Sequence, residues 1–112
     1  MILRLPVPPS ANQMYVNGRH ISKKYKDWKA LVLASAKVHV PITDPVSLHI
    51  KCPTNTRRDL DNHLKPLLDI LTPIKGKRGG LGVIADDRWR YVREIHMEWH
   101  DDEEVEICVR KI

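Results

Sequence analysis

Alternation of apolar and polar side chains is the feature that most limits what this chain can fold into. Val46, Leu48, Ile50 and Cys52 alternate with Ser47, His49 and Lys51, the period-two pattern of a strand with one buried face. Trp89, Tyr91, Ile95, Met97 and Trp99 share one parity, broken by Arg93, while Arg90, Glu94, His96, Glu98 and His100 take most of the other. Val105, Ile107 and Val109 repeat the pattern after Asp101-Asp102-Glu103-Glu104. The spacing predicts a long strand over 89–99 and an antiparallel return strand, with the acidic run as a solvated hairpin tip.

Two stretches switch to helical spacing. Ser22 is the expected N-cap of a helix of about 16–18 residues ending before Pro41, with Tyr25, Trp28, Val32, Ala36 and His39 on one stripe. A second helix is expected over roughly 60–72, with Leu60, Leu64, Leu67, Leu68 and Leu71 in register. Pro66 lies inside it, lacks an amide N–H and crowds the preceding turn, so a kink or a restart is expected there. A short strand at 2–7 stops at Pro8-Pro9, and Asn17-Gly18 marks a small hairpin. Residues 73–84 hold four of the five glycines among Lys75, Lys77 and Arg78 and read as a flexible basic loop. No Lys-Ser/Thr arrangement follows, which argues against a nucleotide phosphate loop. The expected fold is α+β: a small mixed, mostly antiparallel sheet with two helices packed on it, one domain over residues 1–112.

Charge is uneven along the chain. Residues 1–93 carry 17 bases and 7 acids, a net +10, while residues 94–112 carry 2 bases and 7 acids, a net −5. A basic body with a separate acidic segment suits a polyanion partner, against the alternative of a solvated surface that meets nothing. Lys23, Lys24, Lys26 and Lys29 sit near the start of the first helix, the end where the macrodipole disfavours cations. That placement supports a phosphate-facing surface. Cys52 and Cys108 form no close pair and are expected to be free thiols. No apolar run approaches the roughly 20 residues needed to span a bilayer, and the N-terminus lacks the pattern of a signal peptide. The expected setting is the cytoplasm of a bacterial cell or a phage-infected host, with no membrane partner.

Candidate chemistry concentrates in Arg57-Arg58-Asp59-Leu60-Asp61-Asn62-His63-Leu64-Lys65. Carboxylates repel one another, and a hard divalent cation is the usual reason to cluster them. Two residues apart on a helix is roughly 200°, so Asp59 and Asp61 converge only if Asp59 stays in the preceding loop. Asp61, Lys65 and Asp69 fall at i, i+4 and i+8 on one face. The plainer alternatives are a helix cap for Asp59 and a surface ion pair for Asp61 and Lys65. A second pair, Asp86-Asp87, ends the glycine-rich loop and shifts the balance toward an oxygen-ligand site for Mg²⁺, which needs only one or two carboxylates plus substrate phosphate oxygens. A cation pocket in a basic surround points to phosphodiester chemistry, with Lys65 placed to neutralise charge on the phosphate or orient a water. His96 and His100 show no metal-ligand pattern with a cysteine or acid, and His63 receives no role.

Three stretches in order resemble one known family. Leu5-Pro-Val-Pro-Pro-Ser-Ala-Asn-Gln-Met-Tyr15, Arg58-Asp-Leu-Asp-Asn-His-Leu-Lys-Pro-Leu-Leu-Asp-Ile-Leu71 and Gly82-Val-Ile-Ala-Asp-Asp87 are similar to the motifs of the RusA family of Holliday junction resolvases. The resemblance implies a homodimeric, Mg²⁺-dependent endonuclease, with Mn²⁺ as a substitute, that cuts four-way DNA junctions by paired symmetric nicks in recombination and repair. Carried over by position, the catalytic acids and metal ligands are Asp59, Asp61 and Asp87, with Asp86 second in rank, and the catalytic lysine is Lys65. The DNA contacts expected around them are Arg57, Arg58, Lys23, Lys24, Lys75, Lys77, Arg78 and Asn12. A C2 dimer would match the approximate two-fold symmetry of a four-way junction. The competing readings are a non-catalytic structure-specific DNA-binding protein and a metal-dependent nuclease acting on other branched DNA. The first suffers because uncompensated aspartates weaken phosphate binding.

Overall fold

The computed structural model describes residues 1–112. In chain order the elements are β1 (Ile2–Leu5), the short pair β2 (Tyr15–Val16) and β3 (His20–Ile21), α1 (Lys23–Ser35), β4 (Val46–Pro53), α2 (Leu64–Leu71), β5 (Val92–His100) and β6 (Val105–Lys111). The main sheet runs β1-β6-β4-β5. β1–β6 and β6–β4 are antiparallel and β4–β5 is parallel, so the sheet is mixed and mostly antiparallel, as expected. No helix is long and apolar enough to cross a membrane.

One part of the strand reading is corrected. β5 and β6 do not pair with each other, because β4 lies between them. The segment 101–104 is therefore not a hairpin tip but a bridge across the end of β4. Two strand spacings come to roughly 9.5 Å, within reach of four extended residues. The bridge is exposed, as its charge requires, and Arg4 on β1 anchors it through Asp102 at 2.9 Å.

The parity break at Arg93 has a structural cause. Val46 pairs with Val92, but Ser47 pairs with Glu94, so Arg93 is the extra residue of a register shift. An inserted residue flips the parity of everything before it. Val92 is thus buried, and the strand begins there rather than at 89. Trp89 lies outside it and is 73% exposed. Ile95 and Trp99 face the helix side of the sheet but remain partly open, because β5 is an edge strand.

Parallel pairing of β4 and β5 demands a long crossover, since adjacent parallel strands cannot be joined by a tight turn. Residues 54–91 supply it, and α2 is its helix. A 3₁₀ turn over Leu60–His63 leads into α2, so the helical reading over 60–72 becomes a turn plus a true helix. The restart falls at Leu64, which places Pro66 in the first turn of α2, where amide N–H groups need no intrahelical acceptor. Leu67, Ile70 and Leu71 are fully buried against the core face of β4, where burying Leu48 and Ile50 contributes about 1.5–3 kcal/mol each.

α1 is shorter than its periodicity predicts. Ser22 caps it, accepting the Tyr25 N–H at 3.1 Å, but the helix ends at Ser35. His39 is consequently not on its stripe. Backbone pairing competes with the helix here: His39 donates to the Leu81 carbonyl and Ile42 to the Val83 carbonyl, both at 2.8 Å.

The glycine-rich stretch divides in two. Ile74–Arg78 is exposed, but residues 79–84 are buried and bonded to the end of α2, Leu81 N–H reaching the Ile70 carbonyl at 2.8 Å and Val83 N–H the Leu71 carbonyl at 2.7 Å. The expectation of one flexible loop fails for this half. A Cβ on Gly79 would stand 1.9 Å from the Pro73 carbonyl oxygen, so glycine is there for close backbone approach.

Candidate active site

The crossover carries the acids. Asp59 sits just ahead of the 3₁₀ turn in extended conformation (φ −68°, ψ 151°), and its side chain caps nothing. It is exposed and off the helix, as convergence with Asp61 required. Asp61 lies in the first turn, and the Asp61, Lys65, Asp69 stripe runs on into α2. Lys65 does not close onto Asp61; its Nζ lies 5.8 Å from the centre of the Tyr15 ring in β2.

Asp61, Lys65, Asp69 and Asp87 line one open cleft of about 690 Å³ together with Arg19 and Arg78. Four elements contribute: the hairpin of β2 and β3, the 3₁₀ turn, α2 and the end of the glycine loop. Asp59 is not on the cleft wall and stands outside the group that the fold brings together.

Asp86 and Asp87 are adjacent yet chemically distinct. Asp86 Oδ1 accepts the Asp87 N–H at 2.8 Å, and Oδ2 lies 3.1 Å from Arg88 Nε. The Asp87 N–H, more than Arg88, holds Asp86 below the usual carboxylate range. Asp87 goes the other way. Partial burial pushes it up, and the neighbouring Asp86 and Asp69 carboxylates add to the shift. Asp61 and Asp87 present carboxylate oxygens to the same cleft, a donor set that fits a hard, oxygen-preferring ion.

Asp69 shares the cleft but has structural partners. One oxygen accepts the Tyr25 hydroxyl from α1, the other accepts the Gly79 N–H at 3.2 Å, and Lys29 Nζ approaches to 3.6 Å. Tyr25 is 1% exposed, and burial together with Asp69 holds its hydroxyl far above the ordinary phenol range. Asp69 therefore ties α1, α2 and the glycine loop together beneath the cleft.

The expected DNA contacts have different situations. Arg57, Lys24, Lys75, Lys77 and Asn12 are exposed. Arg78 is on the cleft wall. Lys23 is exposed but pairs with Asp27 at 2.7 Å. Arg58 is half-buried and donates to the Pro8 carbonyl at 2.6 Å, joining the loop before the acids to the N-terminal proline turn. That bond makes it a strut of the fold. His63 is fully buried with its ring 5.7 Å from that of Trp99; burial, then the Arg58 charge, keep it neutral by lowering its pKa. It packs the acidic turn against β5.

Sequence reasoning placed Asp69 on the right face but gave it no task, and it did not find Arg19. A signal for Asp69 existed in the i+8 spacing. None existed for Arg19, which reaches the cleft only because its hairpin folds over α2.

The family model described as endodeoxyribonuclease RusA matches residues 6–110. The chain belongs to this family. Crossover junction endodeoxyribonuclease RusA of Escherichia coli (strain K12) is 37% identical to it over 78 residues, covering 62% of this chain and 65% of the relative. The proteins of that name from Shigella sonnei (strain Ss046) and Enterobacteria phage 82 match with the same identity and coverage. The matched stretch thus spans just under two thirds of these relatives.

Proposed function

We propose that this chain is a Mg²⁺-dependent endodeoxyribonuclease that resolves four-way DNA junctions by paired symmetric nicks, acting as a homodimer. One observation carries the proposal: Asp61 and Lys65 from one helical face and Asp87 from beyond the glycine loop line a single open cleft with Arg19 and Arg78 in a chain of an endodeoxyribonuclease family. Asp61 and Asp87 would hold the ion, Asp59 would complete the acid set from the mouth of the turn, and Asp86 ranks behind Asp87 because its oxygens are already engaged. Mg²⁺ bound there would polarise the scissile phosphate and lower the pKa of a water, and Mn²⁺ would accept the same oxygen ligands.

The residues of the chain supply the rest. Lys65 presents a mobile ammonium to the phosphate as its charge grows. Arg19, Arg57, Arg78 and the exposed lysines of the 74–78 turn neutralise backbone charge and set the duplex arm against the cleft. Asp69 stays bonded to Tyr25 and Gly79 and holds the loop that delivers Asp87. The approximate two-fold symmetry of a junction calls for two such clefts related by a C2 axis. Relatives in bacteria and a phage support action in the cytoplasm of a bacterial or phage-infected cell.

The test is cleavage of a synthetic four-way junction beside linear duplex and a flap substrate, with Mg²⁺ and with chelator. Expected are paired nicks in the junction alone, only with metal. Junction binding without cutting would favour a binding protein, and equal cutting of flaps a broader nuclease; either result refutes the proposal as stated.

A further inference from the structure

The face of the sheet turned away from the helices carries a second group of metal-binding atoms. His49 on β4 and His96 on β5 are direct partners in the parallel register, and Glu98 stands two residues beyond His96 on the same face. The His49 Nε2 atom is 3.3 Å from Glu98 Oε1, and His96 Nε2 is 3.5 Å from Glu98 Oε2. The three ligand atoms lie within 4.8 Å of one another. The rings meet edge to face, with centroids 4.5 Å apart at 79°.

We propose that His49, His96 and Glu98 form a binding site for one borderline divalent transition-metal ion of the zinc type, separate from the acidic cleft. Donor chemistry selects that class. Two imidazoles and a carboxylate suit Zn²⁺, Co²⁺ or Ni²⁺, whereas Mg²⁺ prefers oxygen alone. Distance agrees with it. Ligands bonded 2.0–2.1 Å from a tetrahedral ion stand about 3.3 Å apart, and both nitrogen–carboxylate separations are already close to this. The remaining closure falls to His96, which is exposed.

The His49 ring is partly exposed, but its Nε2 atom is covered and meets Glu98 Oε1 as an ion-pair contact with poor hydrogen-bond alignment. A lone pair aimed at a metal satisfies this atom directly. Three protein ligands leave the fourth position for water.

Lys51 opposes the ion. Its Nζ lies 3.8 Å from Glu98 Oε1 and 3.8 Å from Glu106 Oε2, so it competes for the same carboxylate. Cys108, the register partner of His49 on β6, lines a shallow depression with His49 and His96 but stands outside the three-ligand group. A bound ion would bolt the edge strand β5 to β4, directly after the loop that carries Asp86 and Asp87.

The experiment is titration of the full chain with Co²⁺ and Zn²⁺ in excess Mg²⁺, following calorimetry, visible Co²⁺ bands and the thermal midpoint. Four variants are compared with the wild type: His96→Ala, Glu98→Gln, Lys51→Gln and the doubly substituted Asp61→Asn/Asp87→Asn. Expected is one ion per chain in the wild type and in the double aspartate variant, with a raised midpoint. His96→Ala and Glu98→Gln should bind at least about tenfold more weakly and lose the midpoint shift. Lys51→Gln should bind more tightly. His96 is exposed, so its loss leaves the core intact, and an unchanged metal-free midpoint checks this. Absence of binding, equal affinity in His96→Ala, or loss of binding in the aspartate variant instead would each overturn the proposal.

Discussion

Tyr25→Phe tests the link between the core and the acidic cleft. The substitution removes one hydroxyl, fully buried, whose proton is donated to Asp69. A hydrogen bond to a charged acceptor contributes about 1.5–3 kcal/mol. Asp69 keeps the Gly79 N–H and the approach of Lys29, so the carboxylate is not stranded and the cost should fall near the lower limit, about 1.5 kcal/mol. At roughly 2.1 cal/mol/K per residue, a chain of this length should melt about 6 °C lower. Linkage supplies a second signature. The folded-state pKa of Tyr25 is raised, so its contribution is complete below the unfolded value near 10 and is lost as pH rises beyond it. The difference between wild type and Tyr25→Phe should therefore shrink by about 1.4 kcal/mol per pH unit above pH ~10. Urea unfolding of both proteins from pH 7 to 11 measures both quantities. A difference below about 0.3 kcal/mol at pH 7, or one constant to pH 11, would refute the assigned bond.

Asp87→Asn should make the metal-free protein slightly more stable at neutral pH, by roughly a few tenths of a kcal/mol, because the carboxylate is largely exposed and screened. The sign follows from its raised pKa: the wild type is favoured below the unfolded value near 4 and loses that advantage as pH rises, so the gain should vanish in acid. A stability loss at pH 7 in urea titration would contradict it. Gly79→Ala should cost roughly 3 kcal/mol or more, since φ is +74° and the added Cβ would meet the Pro73 carbonyl. Gly76→Ala, with φ +62° and open space around it, should cost only about 1 kcal/mol, and equal losses would discount the clash. Of the two free thiols, Cys52 is buried and pushed up to about 11, so an aromatic disulfide reagent should label Cys108 alone in the native protein. Rapid labelling of both would contradict the burial.

Local rules carried much of the fold. Alternation marked β4 and β6, the Ser22 cap placed the start of α1, and Pro66 announced the restart that Leu64 makes. Two of the failures share a cause, which is competition from backbone outside the stretch. α1 stops early because residues 39–42 pair with 81–83, and the glycine stretch is half rigid because the end of α2 bonds to it. A single-chain pattern cannot register a partner 40 residues away.

The candidate site divides along the same line. Residue type and spacing singled out the acids and Lys65 as candidates and required Asp59 to leave the helix, as it does, because carboxylate repulsion and helical geometry are local matters. Only the tertiary structure decided which acids share a wall. It left Asp59 outside the cleft, engaged both oxygens of Asp86, and turned Asp69 into the tie beneath the site. It also bonded Arg58 to the Pro8 carbonyl, and it set His49 beside His96 and Glu98. Strand order and loop path decide such meetings, and they follow from the packing of the whole core rather than from any one stretch.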